Sequence, residues 1–496
     1  MEFSSLIFIF QFLPVFLVLF FTVKKEARSL ILILASLLFY YWGEGGFVLF
    51  LLGSILVNYL LGLWINHTRR KRWVVPVFLL GLGLNIGWLG FFKYTHFFFD
   101  NLNPLLKGIG LPTVSVSPIH LPIGISFITF QALSYIIDVY RERNPVENHF
   151  LNFAIYLGSF PKLIMGPITP YHKMHSQIRR MEINFEDFAI GSKRFMIGLG
   201  KKLLIADKLA PVANQIFSIP APQQTAGLAW LGIVSFTLQI YFDFAGYSDM
   251  AIGIGRMCGF TLMENFNFPY VARSIKDFWR RWHISLAHWL RDYLFLPIAY
   301  SVSRRIKAER FLGIKAENWA YYLGSFVTMT LCGLWHGANW TFVFWGTFYG
   351  ILLIVEHAGG SIVLKRLWWP WRIAYTQMMV MVAWVFFRSE SLAYALQYLK
   401  AMFGFGSGSG LEYYPSLYLD AEVILFGLIG LLISTPLPGR LKTLLQTAIL
   451  KTTGPGRYWI LHGARFLVTV FLVFIFILSV MALVSGTYTP FIYFRF

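Results

Sequence analysis

Charge is what this chain has least of. Only 13% of its 496 residues are Asp, Glu, Lys or Arg, about half the share usual in a soluble domain, and 57% are hydrophobic. A water-soluble protein of several globular domains is therefore excluded. Acids are scarcer still, 23 against 42 bases, which leaves a formal balance of +19. In a soluble protein that excess would point to nucleic acid. Here the bases sit between apolar runs, so they face anionic lipid headgroups and fill cytoplasmic loops, and no nucleic-acid partner is expected. The only cysteines are Cys258 and Cys332, both in apolar surroundings. Two thiols exclude a disulfide framework and a four-thiolate metal site.

What is present is long uncharged sequence. A hydrocarbon core of roughly 30 Å needs about 20 helical residues. Runs near that length occur at 3–23, 45–68, 73–92, 209–242, 318–355, 423–439 and 466–494, with shorter ones at 29–43 and 373–387. The first opens with Glu2 and has no basic residue before it, so it reads as a retained span and not as a cleavable signal. Basic clusters at 24–28, 69–72, 141–143, 179–180, 201–202, 280–281, 304–305, 365–366 and 440–442 mark cytoplasmic loops by the positive-inside rule. The Pro/Gly/Ser-rich stretches 101–118 and 404–415 then lie outside, as do both termini.

Two runs, 150–170 and 284–302, have bases at both ends, so neither makes a simple single crossing. The first also carries Pro161, Gly166, Pro167 and Pro170. Both are expected to be re-entrant or in-plane elements around an internal cavity. No repeat, low-complexity block or soluble linker domain interrupts the chain, and residues 1–496 read as one all-α membrane domain with about ten or eleven spans.

Ionisable groups inside apolar runs are functional candidates because a charge at bilayer depth costs roughly 2.5–3.5 kcal/mol on insertion scales. His336 lies near the middle of 318–355, between Trp335 and Gly337, with Asn339 close by. That run is about twice the length of one span, so a helical hairpin with His336 at or near its break is expected. The alternative is a histidine hydrogen-bonded to a neighbouring helix for packing. Cys332 and His336 share a helix face, but two ligands do not make a metal site.

A second stretch, 273–293, interleaves bases and aromatics around Trp279, Arg280, Arg281, Trp282 and His283. An interfacial helix accounts for the tryptophans and most arginines; a phosphate-bearing ligand held by Arg280 and Arg281, with His283 in the cavity, accounts for the histidine as well. In the third, Asp243, Tyr247 and Asp249 close an uncharged run, and each aspartate there pairs with a buried cation or orients a histidine. Gly253 and Gly255 are followed by Arg256, not by a third glycine in dinucleotide register, so a nucleotide-binding strand-turn-helix is rejected.

Five segments together resemble the membrane-bound O-acyltransferase family, and most closely its bacterial alginate O-acetylation branch. They are 121–127 (LPIGISF) with Gln131 and 135–138 (YIID), 160–167 (FPKLIMGP), 239–249 (QIYFDFAGYSD), 278–285 (FWRRWHIS) and 334–340 (LWHGANW). The resemblance covers roughly 120–350 in order. It implies a ring of tilted helices around a central tunnel where a cytosolic acyl thioester meets an acceptor from the opposite side. It also implies that His336 is the catalytic base and that His283 is its second, polar partner. Asn339, Trp335, Asp243, Tyr247, Asp249 and Gln131 would support the site or line the tunnel.

The donor so implied is acetyl-CoA with no metal, the membrane is the plasma (inner) membrane, and the partners are extracytoplasmic acetyltransferase relay proteins and a polysaccharide acceptor such as alginate, reached directly or through the relay. D-alanyl transfer to teichoic acid on the same fold, or a transporter or channel, are the alternatives.

Overall fold

With so little charge to contact water, the chain satisfies its backbone internally, and helix is the only open-ended way to do so in hydrocarbon. The computed structural model describes residues 1–306, 308–451, 456–486 and 491, and it is almost wholly helical. Its only sheet among the described residues is a two-strand ribbon pairing Arg310–Phe311 with Ile314–Lys315. Five helical stretches are long and apolar enough to cross a membrane: Lys25–Thr68, Val74–Gly108, Ala226–Met257, Trp340–Arg366 and His462–Val484. Shorter apolar helices run Phe8–Thr22, Ile125–Tyr140 and Ala421–Ile433. The protein is an all-α polytopic membrane protein. The end of the 466–494 run lies outside the described residues.

The expected run 209–242 is not one helix. Asp207–Ser218 stops, a single 3₁₀ turn Ala221–Gln223 follows, and Ala226–Met257 begins anew. Pro220 and Pro222 remove two amide donors, and Ile219 before the first is extended. The Gln224 side chain donates to the freed Ile216 carbonyl at 2.7 Å. Likewise 423–439 breaks after Ile433 and restarts at Leu437, around Pro436.

The chain falls into two compact units. The first comprises Met1–Ser192, Ala251–Met263 and the three-residue turn Gly337–Asn339. Here the 150–170 run is broken as its prolines require: a helix Phe150–Gly158, a turn Phe160–Leu163, then irregular chain. The Phe160 amide is satisfied by the Ser36 hydroxyl at 3.0 Å. Gly124 has φ +78°, and a Cβ there would lie 2.6 Å from the Leu163 carbonyl oxygen, so 121–127 and 160–167 meet backbone to backbone.

Beneath them, Lys162 donates to Gln131 Oε1 at 2.5 Å and lies over the Tyr156 ring. Glu147 accepts from the Tyr171 hydroxyl, from the His149 amide at 3.0 Å and from Arg179 at 3.4 Å. Burial alone would raise the Glu147 carboxyl, but these donors outweigh it and hold it below its ordinary range.

The second unit comprises Lys193–Met250, Glu264–His336 and Trp340–Phe496. Its frame is set by two glycine crossings. A Cβ on Gly198 would sit 2.6 Å from the Gly246 carbonyl, and one on Gly246 would sit 2.7 Å from the Gly198 carbonyl, so the helices Phe185–Gly200 and Ala226–Met257 touch through their backbones. The other crossing is tighter. A Cβ on Gly333 would come within 2.2 Å of the Phe342 oxygen, and one on Gly346 within 2.1 Å of the Met329 oxygen. The 318–355 run is thus the expected hairpin, Ala316–His336 and Trp340–Val355, with His336 the last residue of its first arm.

By contrast 284–302 lies in one continuous helical rod, Ile284–Leu290, a π-helical turn Arg291–Phe295 and Leu296–Arg305.

Candidate active site

Ending the first arm of the hairpin at His336 places the imidazole where the chain turns. The ring is buried, 5% exposed, and walled by aromatics. Trp345 lies edge-on at 4.9 Å between ring centroids, Phe387 at 5.5 Å and its neighbour Trp335 at 4.7 Å. Trp345 reaches the second histidine segment by two routes, through Trp279 at 6.0 Å and through Trp384 at 6.0 Å, which in turn is 5.0 Å from Trp282. One aromatic wall therefore joins 278–283 to His336. Asn339 stands three residues beyond His336, in the turn of the hairpin.

His283 is 1% exposed and adopts a left-handed backbone, φ 41° and ψ 55°, at the start of the helix Ile284–Leu290. For a residue with a Cβ this conformation costs on the order of 1–3 kcal/mol and must be held by its surroundings. Asn265 holds it. The Ile284 amide donates to the Asn265 carbonyl at 2.9 Å. The Asn265 side-chain oxygen accepts from the Ser285 hydroxyl at 2.6 Å and lies 3.3 Å from both the Ser285 amide and His283 Nδ1.

A backbone amide can only donate, so that side-chain atom must be the carbonyl oxygen and not the NH2. Nδ1 must then carry the proton, and the lone pair of the neutral ring sits on Nε2. Nε2 has no hydrogen-bond partner among the described residues. The Phe244 ring lies edge-on to the imidazole at 4.6 Å.

Both aspartates pair with cations, Asp243 with a buried one and Asp249 with two that are half-buried. Asp243 lies 2.9 Å from Lys202 Nζ, which also meets Asp207 at 2.7 Å; all three side chains are buried. Asp249 pairs with Lys201 at 2.6 Å and with Arg194 at 2.8 Å. Arg194 also forks onto Glu264, the residue before Asn265. Arg194 thus bridges Asp249 to the segment that carries Asn265. Tyr247 is buried one turn beyond Asp243 on the same helix. Gln131 belongs to the first unit, where Lys162 is its donor.

The two arginines separate. Arg280 is exposed, whereas Arg281 is half-buried, donating to Asp277 at 2.9 Å and to the Asn267 carbonyl at 3.2 Å. Asn265, Ser285, Trp345 and Trp384 were not legible as site residues. Asn265 is 18 residues from His283, with only the polar Glu264 and Asn267 around it as a signal.

A family model described as membrane-bound O-acyltransferase matches residues 126–394, which contain both histidines and their aromatic wall. The chain belongs to the membrane-bound O-acyltransferase family. It is 42% identical over 82% of its length to a probable alginate O-acetylase AlgI of Pseudomonas aeruginosa, covering 76% of that protein. A peptidoglycan O-acetyltransferase of Helicobacter pylori is 35% identical over 81% of this chain and 80% of its own. A teichoic acid D-alanyltransferase of Streptococcus thermophilus is 29% identical over 53% of this chain and 64% of its own. As a membrane-bound O-acyltransferase the protein is an enzyme, which displaces the transporter or channel alternative.

Proposed function

We propose that this acyltransferase moves acetyl from cytosolic acetyl-CoA to hydroxyls of an exported polysaccharide such as alginate, directly or through extracytoplasmic relay proteins, in the plasma (inner) membrane. The observation that carries the reading is the buried His336 at the turn of the hairpin, joined by Trp345 and Trp384 to a second buried histidine of fixed tautomer.

His336 takes the proton of the acceptor hydroxyl as its oxygen attacks the thioester carbonyl. The tetrahedral intermediate then expels the thiolate, which recovers that proton from the imidazolium, so the products are an O-acetyl ester and free CoA. An unperturbed imidazole is neutral and basic at physiological pH, and general base catalysis is worth about 10²–10⁴-fold. His283, protonated on Nδ1, offers Nε2 only as an acceptor. It orients an N–H or O–H of the bound donor or acceptor, which leaves oxyanion stabilisation to a donor such as the Asn339 side-chain amide.

Acetyl in preference to D-alanyl transfer is favoured by the grading of the relatives, since two O-acetylating proteins match more of the chain at higher identity than the D-alanyltransferase does. The test is release of CoA by the purified protein in nanodiscs, with labelled acetyl-CoA and an alginate oligosaccharide or extracytoplasmic protein fraction as acceptor. Acceptor-dependent acetyl transfer supports the reading. Turnover only with a D-alanyl carrier-protein thioester replaces it with the alternative.

A further inference from the structure

Beside the His283 segment, within the second unit, lies a cavity of about 930 Å³ that the proposed chemistry does not use. Its polar wall includes Arg273, Arg281, Arg440, Asn267 and Asp277, and Trp369 begins its apolar side. Asp277 is already committed, because its carboxylate accepts from Arg281 Nε and from the Arg273 backbone amide. The Arg273 and Arg440 guanidinium groups have no ion-pair or hydrogen-bond partner among the described residues. Three guanidiniums against one carboxylate leave two positive charges facing the same space.

Such a wall repels cations and favours an anion over a neutral ligand, which would leave the charges uncompensated. A guanidinium fork matches phosphate in geometry as well as charge. The apolar side, Trp369, Ile373 and Leu437, adjoins exposed Trp368 and Trp371, an arrangement suited to the boundary between headgroups and hydrocarbon. The cavity is large enough for a ligand of small-molecule size, for which pockets of roughly 300–1,000 Å³ are usual.

We propose that this cavity binds the phosphate of an amphiphilic phosphate ester, with Arg273 and Arg440 as its principal cations and Trp369 beneath its less polar part. Two sources carry that chemistry: the headgroup of an anionic phospholipid, and the phosphorylated nucleotide end of the thioester donor. The second source rests on the function proposed above; the first does not.

The experiment uses the full chain in nanodiscs, as wild type, as the double variant Arg273→Gln/Arg440→Gln, and as Arg305→Gln, an exposed arginine outside the cavity. Two probes are applied: phosphatidylglycerol diluted in phosphatidylcholine, read as lipid retained in native mass spectra, and CoA, read by equilibrium binding across ionic strength. Wild type is expected to retain at least one probe, and the double variant to hold it about tenfold or more weakly, since charge-assisted hydrogen bonds contribute roughly 1.5–3 kcal/mol and 1.4 kcal/mol is tenfold. Arg305→Gln should match wild type, and added salt should erase much of the difference.

Loss of phosphatidylglycerol in the double variant assigns the site to lipid, and loss of CoA assigns it to the donor. If wild type holds neither probe, or the double variant holds equally well every probe that wild type retains, the proposal falls. That outcome leaves His336-dependent acetyl transfer intact, whereas a chain that holds phosphatidylglycerol but turns over no acetyl-CoA refutes the proposed function alone.

Discussion

His283 Nδ1 lies 3.3 Å from the side-chain oxygen of Asn265, and that oxygen is fixed as an acceptor by the Ser285 amide and hydroxyl. The contact decides which nitrogen of the second histidine is available to a ligand. Asn265→Ala removes the acceptor and frees the ring to exchange tautomers, and should lower acyl transfer about tenfold, the equivalent of one buried hydrogen bond of roughly 1.4 kcal/mol. Asn265→Asp keeps an acceptor at the same place and should recover most of the loss. Steady-state kinetics of the two variants checks this; equal damage by both would mean that Asn265 serves only to fold the turn.

The glycine crossing in the hairpin gives a structural prediction. Gly333→Ala and Gly346→Ala would each drive a methyl to within 2.2 Å or 2.1 Å of a backbone oxygen. Because the obstacle is backbone and not a flexible side chain, the two arms must separate and His336 must move with them. Each variant should therefore show lower thermal stability in detergent together with lost transfer. Gly83→Ala, a helical glycine with open space around it, should show neither.

How much of this was legible follows from the kind of signal each feature leaves. The hairpin with His336 at its break could be read from the length of one uncharged run, and the broken helix near 161 from its prolines. The split of 209–242 was missed because a search for uncharged sequence registers neither Pro220 and Pro222 nor the polar Gln223 and Gln224 beside them. Two of the cations facing Asp243 and Asp249, Lys201 and Lys202, read as a cytoplasmic loop, and the third, Arg194, left no signal of its own. Asn265 is invisible for a different reason: its role depends on a left-handed His283, and no local pattern predicts that conformation in a histidine.

Orientation is open to direct measurement. In a Cys258→Ser/Cys332→Ser background, a cysteine at position 70 should be protected from an impermeant thiol reagent in intact cells, and one at position 407 should be labelled quickly. Both positions are exposed in the structure, so a difference reports the side of the membrane. Rapid labelling at 70 would invert the topology and remove the cytosolic donor.

Acid sensitivity should follow Glu147. Its carboxyl is held below its ordinary range in the folded protein, so it contributes stability that is fully present above the unfolded value and is lost as pH falls through the folded one. The melting temperature in detergent should therefore drop on acidification below about pH 4.5, the ordinary range of a glutamate. Arg179→Gln, which removes one of the groups holding the carboxylate, should make that drop smaller and complete it at higher pH. An unchanged profile would show that the Tyr171 and His149 hydrogen bonds suffice.

The central claim is that His336 is the base for acyl transfer and not a packing histidine. The most direct measurement compares acetyl transfer by wild type and His336→Ala in the same nanodisc preparation, with acetyl-CoA binding measured in parallel. A loss of at least about 100-fold in turnover, with donor affinity and folding retained, is the predicted result. Retention of more than about a tenth of wild-type turnover would contradict it, since loss of a general base costs about 10²-fold or more.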